Sequence, residues 1–230
     1  MAALLGIGLV VAALYATDQI LPATSAYQAE MRVWLAARAT GIVSLVLLSL
    51  LIVFGIVLSH PEQSRWKQAK RVFPWHESLW VFVMAFLAVH VTALVLDPYA
   101  GVGLAGAIFP GMSEYRSVPV ALGVVAVYAL GVTVVTARYT SLLPAGAWLR
   151  LHRLSALVLA LAWGHGVLAG TDSDALRPLY WGIAIVVFCA AAYRYWVIRV
   201  RTHTRARSVP PATLQPIHQE EQRVEPQPSP

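Results

Sequence analysis

Four histidines lie inside or at the edges of apolar runs, where a titratable side chain is unfavourable and by default points to function. His76 and His90 are fourteen residues apart, and His152 and His165 are thirteen apart. On helices rising 1.5 Å per residue these separations are ~21 Å and ~20 Å. If the two helices cross a membrane in the same direction, His76 and His152 share one depth, and His90 and His165 a second. Two imidazoles at one depth, on facing helices, are what a low-spin b-type haem needs on the two sides of its iron. The paired ladders therefore predict two haem b groups, with His76, His90, His152 and His165 as axial ligands. A zinc or copper site fits less well, because these spacings cannot bring two ligands from one helix to one metal. A lone histidine in such a helix would read equally well as a hydrogen-bonding group between helices. His60, in a basic loop, and His203 and His218, near the C-terminus, are expected to be solvated.

Helical phase sets a condition. Fourteen residues return to within ~40° of the starting face, whereas thirteen miss it by ~140°. The helix of His152 and His165 must therefore be locally distorted, or its two haems must approach from different sides. Gly164 and Gly166 flank His165 and are the expected place for the distortion. With Ala88, Ala93 and Ala162 they also form the expected small lining around a flat macrocycle.

The elements that must hold these residues follow from composition. Of 230 residues, 58% are hydrophobic and 12% charged, against roughly 25% charged in a soluble domain. Lipid must do part of the solvating. Six apolar stretches run over residues 2–16, 40–58, 77–96, 118–137, 149–168 and 180–198. All but the first approach the ~20 residues that a helix needs to cross the hydrocarbon. Backbone groups in lipid must be satisfied internally, so these are helices. The expected fold is an all-α integral membrane bundle of about six transmembrane helices over residues 1–201. The first stretch could instead be a signal peptide's apolar region, but residues 1–10 contain no Lys or Arg. From residue 202 the chain turns rich in Pro, Gln and Glu, which predicts a disordered cytoplasmic tail over 202–230. One cysteine, Cys189, excludes a disulfide framework, a thiolate zinc site and c-type haem attachment.

Lys and Arg favour the cytoplasmic side. Arg65, Lys67, Lys70 and Arg71 lie between the second and third stretches, and Arg138, Arg150 and Arg153 between the fourth and fifth. Arg199, Arg201, Arg205 and Arg207 follow the sixth. The opposite loops balance Arg32, Arg38, Arg116 and Arg177 with Asp18, Glu30, Asp97, Glu114, Asp172 and Asp174. A multi-pass protein of the plasma membrane is expected, with His76 and His152 on the inner side. Both termini are cytoplasmic if the first helix is retained. Basic residues scattered between apolar runs do not form one nucleic-acid-binding face, so no nucleic acid partner is expected. Trp75, Trp80 and Trp148 are expected to be interfacial belt residues.

The chain resembles the ferric reductase-like transmembrane domain family, which includes ferric reductases, the membrane core of NADPH oxidases and the haem subunit of bacterial methionine sulfoxide reductase systems. The resemblance covers residues 38–196. It rests on Arg38-Ala-Thr-Gly41, on His76 and Ala88-Val-His-Val91, on Asp97-Pro-Tyr99 and on Glu114-Tyr-Arg116. Leu151-His-Arg153, Gly164-His-Gly166 and Gly170-Thr-Asp172 complete it. It implies that the four matching histidines carry two b haems. Arg38 and Arg116, at outer helix ends, become candidates to pair the outer haem's propionates or an anionic acceptor, and Arg71 and Arg153 could do the same inside. The sequence departs from the family pattern in placing Glu77, not Arg, after His76.

The expected function is a b-type cytochrome moving electrons across the membrane. No G-x-G-x-x-G follows a strand, so the donor is expected to be a cytoplasmic flavin reductase, reduced flavin or a quinol. The acceptor outside would be ferric iron, oxygen or a partner oxidoreductase. The alternative is a non-redox scaffold or transporter subunit whose histidines bond between helices, although no broken-helix pair of the transporter kind is evident.

Overall fold

The computed structural model describes residues 24–59, 69–144 and 146–208, and seven scattered positions before residue 24; for residues 29, 30, 69, 70 and 201–208 it describes the backbone alone. Among the described residues the chain is helical, without strands. The elements are α1 (Ala26–Leu58), α2 (Ala69–Leu96), α3 (Gly103–Ile108), α4 (Ser117–Arg138), a 3₁₀ turn (Thr140–Leu142), α5 (Ala147–His152), α6 (Ser155–Ala169) and α7 (Arg177–Ser208).

Among the described residues five spans are long and apolar enough to cross a bilayer: α1, residues 71–96 of α2, α4, α5 with α6, and residues 177–200 of α7. This is the architecture of a multi-pass membrane protein. The sixth expected span, 2–16, lies largely outside the described residues. So does most of the expected tail, although α7 runs to Ser208, past the expected boundary at 201.

α1 begins fourteen residues before its apolar stretch. The Ser25 hydroxyl accepts from the Gln28 N–H at 3.2 Å, while Gln28 Oε1 accepts from the Thr24 N–H at 2.9 Å. This reciprocal cap closes free donors at the helix start and carries the helix through a polar segment. Inside α1, the hydroxyls of Thr40, Ser44 and Ser49 donate to the carbonyls of Ala36, Thr40 and Leu45 at 2.7, 2.8 and 2.6 Å. Bonding back four residues is how a hydroxyl is satisfied in a helix without competing with its ladder.

α1 packs on α2 and α6, and α4 packs on α6 and α5. The largest core cluster lies between these helices, with Leu48, Val83, Leu130 and Val158 buried. Val158 is 1% exposed. Between residues 181 and 200 of α7 no side chain is fully buried; Ile183 and Val187 touch the core cluster and the other apolar faces are left to lipid.

The connection from α2 to α4 is a folded cap. Asp97 Oδ1 accepts from the Tyr99 N–H at 2.9 Å, and the Gly101 carbonyl accepts from the N–H groups of Glu114 and Tyr115, both at 3.2 Å. The Tyr115 hydroxyl donates to the carbonyl of Ala169 at 2.7 Å, tying this cap to the end of α6.

The helix carrying His152 and His165 departs from regular winding at a different place from the expected one. The helix breaks at Arg153 and Leu154, directly after His152, and not at Gly164 or Gly166. Leu154, Ala156 and Leu157 donate to Leu151, Arg153 and Leu154, three residues back, at 2.9, 3.3 and 2.9 Å. Such 3₁₀ winding turns ~120° per residue in place of ~100°. Each overwound residue recovers roughly 20° of the ~140° by which a regular helix would misalign the two histidines.

Candidate functional site

The structure brings the four histidines together as two pairs. His76 of α2 and His152 of α5 have ring centres 6.1 Å apart and planes at 83°. His90 of α2 and His165 of α6 have ring centres 6.3 Å apart and planes at 77°. Two imidazoles ligating one iron from opposite sides would stand roughly 6.3 Å apart between centres, given metal–nitrogen bonds of ~2.0 Å and about 1.15 Å from nitrogen to ring centre. Both pairs have this separation.

Three of the four rings have their tautomer set. His76 Nδ1 bonds the Leu51 carbonyl at 3.1 Å, His90 Nδ1 that of Ala37 at 2.6 Å, and His165 Nδ1 that of Pro119 at 2.9 Å. A carbonyl can only accept, so each Nδ1 carries the hydrogen and donates, and Nε2 keeps its lone pair. This is the outer-shell arrangement that orients a metal-ligating histidine and raises its basicity. The fourth ring differs. His152 Nδ1 is buried and has no hydrogen-bond partner among the described residues. Trp148 packs against that ring, centres 6.1 Å apart and planes at 50°, so this tryptophan does more than mark an interface. Trp80 also packs against the core, whereas Trp75 is exposed.

Glycines make these approaches possible. A Cβ added at Gly41 would lie 2.8 Å from the His90 ring, one at Gly123 2.8 Å from His165, and one at Gly55 3.3 Å from His76. Each glycine stands four residues after the carbonyl that its histidine uses: 37 and 41, 51 and 55, 119 and 123. That carbonyl already accepts from the helix ladder, and its second lone pair becomes reachable only where the next turn has no side chain above it. The expected small residues served less. Gly166 and Ala162 line the cavity beside His165, but a Cβ at Gly164 would meet only Leu122 at 3.8 Å, and Ala88 is exposed. The notch at Gly41 and Gly55 had a sequence signal: these glycines are fourteen apart, as are His76 and His90.

A cavity of about 280 Å³ lies between α1, α2, α4 and α6, with His90 and His165 in its walls. It is close to the lower end of the ~300–1,000 Å³ typical of ligand pockets. Arg38 lines it, forms an ion pair with Asp172, and lies over the Trp34 ring at 4.2 Å. Arg116 does not line it. Its guanidinium donates to the Leu168 carbonyl in the last turn of α6 at 2.7 Å, where the helix dipole favours a cation. Arg71 and Arg153 are exposed. His60 and His218 lie outside the described residues, and of His203 only the backbone in α7 is described.

Among the described residues no three His, Cys, Asp or Glu side chains gather to hold a bare metal ion. Two neutral imidazoles per site suit an iron whose remaining ligands come from a macrocycle. The residues present therefore fit haem. No model of a protein family matches this chain. No curated protein and no solved structure matches it either.

Proposed function

We propose that this chain is the membrane subunit of an electron-transfer system, a b-type cytochrome similar to the ferric reductase-like transmembrane domain. The reading rests on one observation above all: two histidine pairs, each with ring centres 6.1–6.3 Å apart and planes close to perpendicular, at opposite ends of one helix. Haem, when bound, supplies the one-electron carrier, and the protein sets its ligation, depth and surroundings. His76 and His152 would hold the inner group, and His90 and His165 the outer one. The carbonyls of Ala37, Leu51 and Pro119 orient three of these rings, so that Nε2 is presented as the ligand. Leu48, Val83, Leu130 and Val158 exclude water between the two sites. Arg38, at the cavity, offers positive charge to a carboxylate on the outer side. The basic inner residues favour an anionic donor, such as a reduced flavin phosphate or an acidic flavoprotein, with a quinol as the neutral alternative. The proposed location is the plasma membrane, with the acceptor outside.

A non-redox scaffold is the second reading, because three histidines do bond between helices. It leaves the facing ring pairs without a role. The discriminating experiment is the absorbance spectrum of purified protein, oxidised and then reduced with dithionite, with a pyridine haemochrome count. Two haems per chain with reducible split bands support the cytochrome. A colourless protein, also after reconstitution with haemin, overturns it.

A further inference from the structure

The four histidines are held unequally, and this inequality has a chemical consequence. His76, His90 and His165 each donate Nδ1–H to a helix carbonyl uncovered by a glycine. His152 has no such partner among the described residues, although its Nδ1 is buried. His152 stands on α5, which packs against α4. The fourteen-residue repeat that relates Gly41 to Gly55 would place the fourth notch at Ala137, fourteen after Gly123. A methyl stands there instead. His152 is also the last residue of α5, immediately before the break at Arg153 and Leu154.

We propose that Gly41, Gly55 and Gly123 are positioning residues that lock three axial imidazoles, and that His152 is the exchangeable ligand. The inner site is then where a small neutral ligand binds. The inference rests on the cytochrome reading. An imidazole held through Nδ1 has its rotation and its lone-pair direction fixed, so that after dissociating it recaptures the iron. Trp148 packs against the His152 ring, but among the described residues no hydrogen bond fixes its Nδ1. With haem bound, His152 would be the residue that yields its place to the incoming ligand, an exchange in which no electron would move and no proton would be released.

The probe is carbon monoxide, added to full-length, dithionite-reduced holoprotein in lipid nanodiscs. One haem of the two should shift to a carbonyl spectrum. His165→Ala, which removes the outer haem, should leave a remaining haem that converts fully. His76→Ala, which removes the inner haem, should leave one that does not convert. Gly123→Ala pushes His165 off the Pro119 carbonyl and should make the outer haem reactive as well. Gly131→Ala is the control, since it adds the same methyl to α4 with nothing within 4 Å. It should behave as the parent, which separates loss of positioning from loss of folding. Conversion of both haems, of neither, or of the outer one alone in the parent protein overturns the proposal. A haem count of zero would instead overturn the cytochrome reading beneath it.

Discussion

Replacing Gly41 with alanine should weaken the chain's outer haem site while leaving the inner one intact. The added Cβ would stand 2.8 Å from Cε1 and Nδ1 of His90, and ordinary contact begins at 3.4 Å. The ring must therefore retreat by about 0.6 Å, or α1 and α2 must separate. A retreat of that size stretches the 2.6 Å bond to the Ala37 carbonyl towards ~3.2 Å, the long end of N–H···O bonding. Overpacking of this kind costs about 1–3 kcal/mol, and loss of the hydrogen bond about 0.5–1.5 kcal/mol. Together these weaken outer haem binding by a factor between about ten and about a thousand, since each ~1.4 kcal/mol is tenfold. Gly55→Ala, whose Cβ would stand 3.3 Å from His76, needs a shift of only about 0.1 Å and should affect the inner haem much less. Gly131→Ala should do nothing. The assay is the rate at which a haem-scavenging globin removes haem from each variant in nanodiscs, with the two haems resolved by redox poise. Equal retention by the Gly41, Gly55 and Gly131 variants would refute the notch reasoning, whatever the haem count of the parent.

Four further outcomes are expected. In a Cys189→Ser background, a cysteine at Gln68 should resist an impermeant maleimide in intact cells while one at Ala175 labels; the reverse pattern inverts the orientation. Asp172→Asn should change stability by no more than ~1 kcal/mol, because its ion pair with Arg38 is partly exposed, at 21% and 50% for the two side chains. Arg38→Ala should weaken outer haem retention more than Asp172→Asn does, and equal effects in the scavenging assay would show that Arg38 serves only the pair. NADPH alone should not reduce the purified chain at a useful rate. Reduced flavin or a flavin reductase should, with a rate that falls as salt rises, since exposed charges are screened over ~8 Å at physiological ionic strength; a rate unaffected by salt would argue against the basic inner face as the docking surface.

The spans and the histidine pairs were legible because each depends on one short-range rule. Hydrophobic length marks a membrane helix, and fourteen or thirteen residues set a depth. What could not be read depended on which helix packs against which. The apolar helices are hydrophobic on every side, so no stripe in α1 announced that Gly41 and Gly55 would face α2. Gly164-His-Gly166 attracted the expected distortion by composition. The winding instead changes at Arg153–Leu154, where no glycine or proline stands and tertiary fit decides. The early start of α1 was hidden because Gln28, Glu30 and Arg32 fall outside any apolar window, although Thr24, Ser25 and Gln28 spell a helix start. Arg116, a candidate for the outer propionates from its place at a helix end, has a φ of 36° at the start of α4 and donates to the Leu168 carbonyl at the end of α6, a tertiary bond that no local pattern announces.

The two notches on α1 act on α2 like two pins through a pair of rods. One pin would fix where the rods meet and leave them free to swivel about it. Two pins, at Gly41 with His90 and Gly55 with His76, fix the relative rotation, the sliding and the crossing of the helices over ~21 Å at once. Removing a single residue between 41 and 55 would turn one pin by ~100° relative to the other and shift it by ~1.5 Å, so both could not be seated together. The chain should therefore tolerate the loss of one residue between 41 and 55 far less readily than a substitution there that leaves both glycines in place, and length variation among any homologues should avoid this stretch.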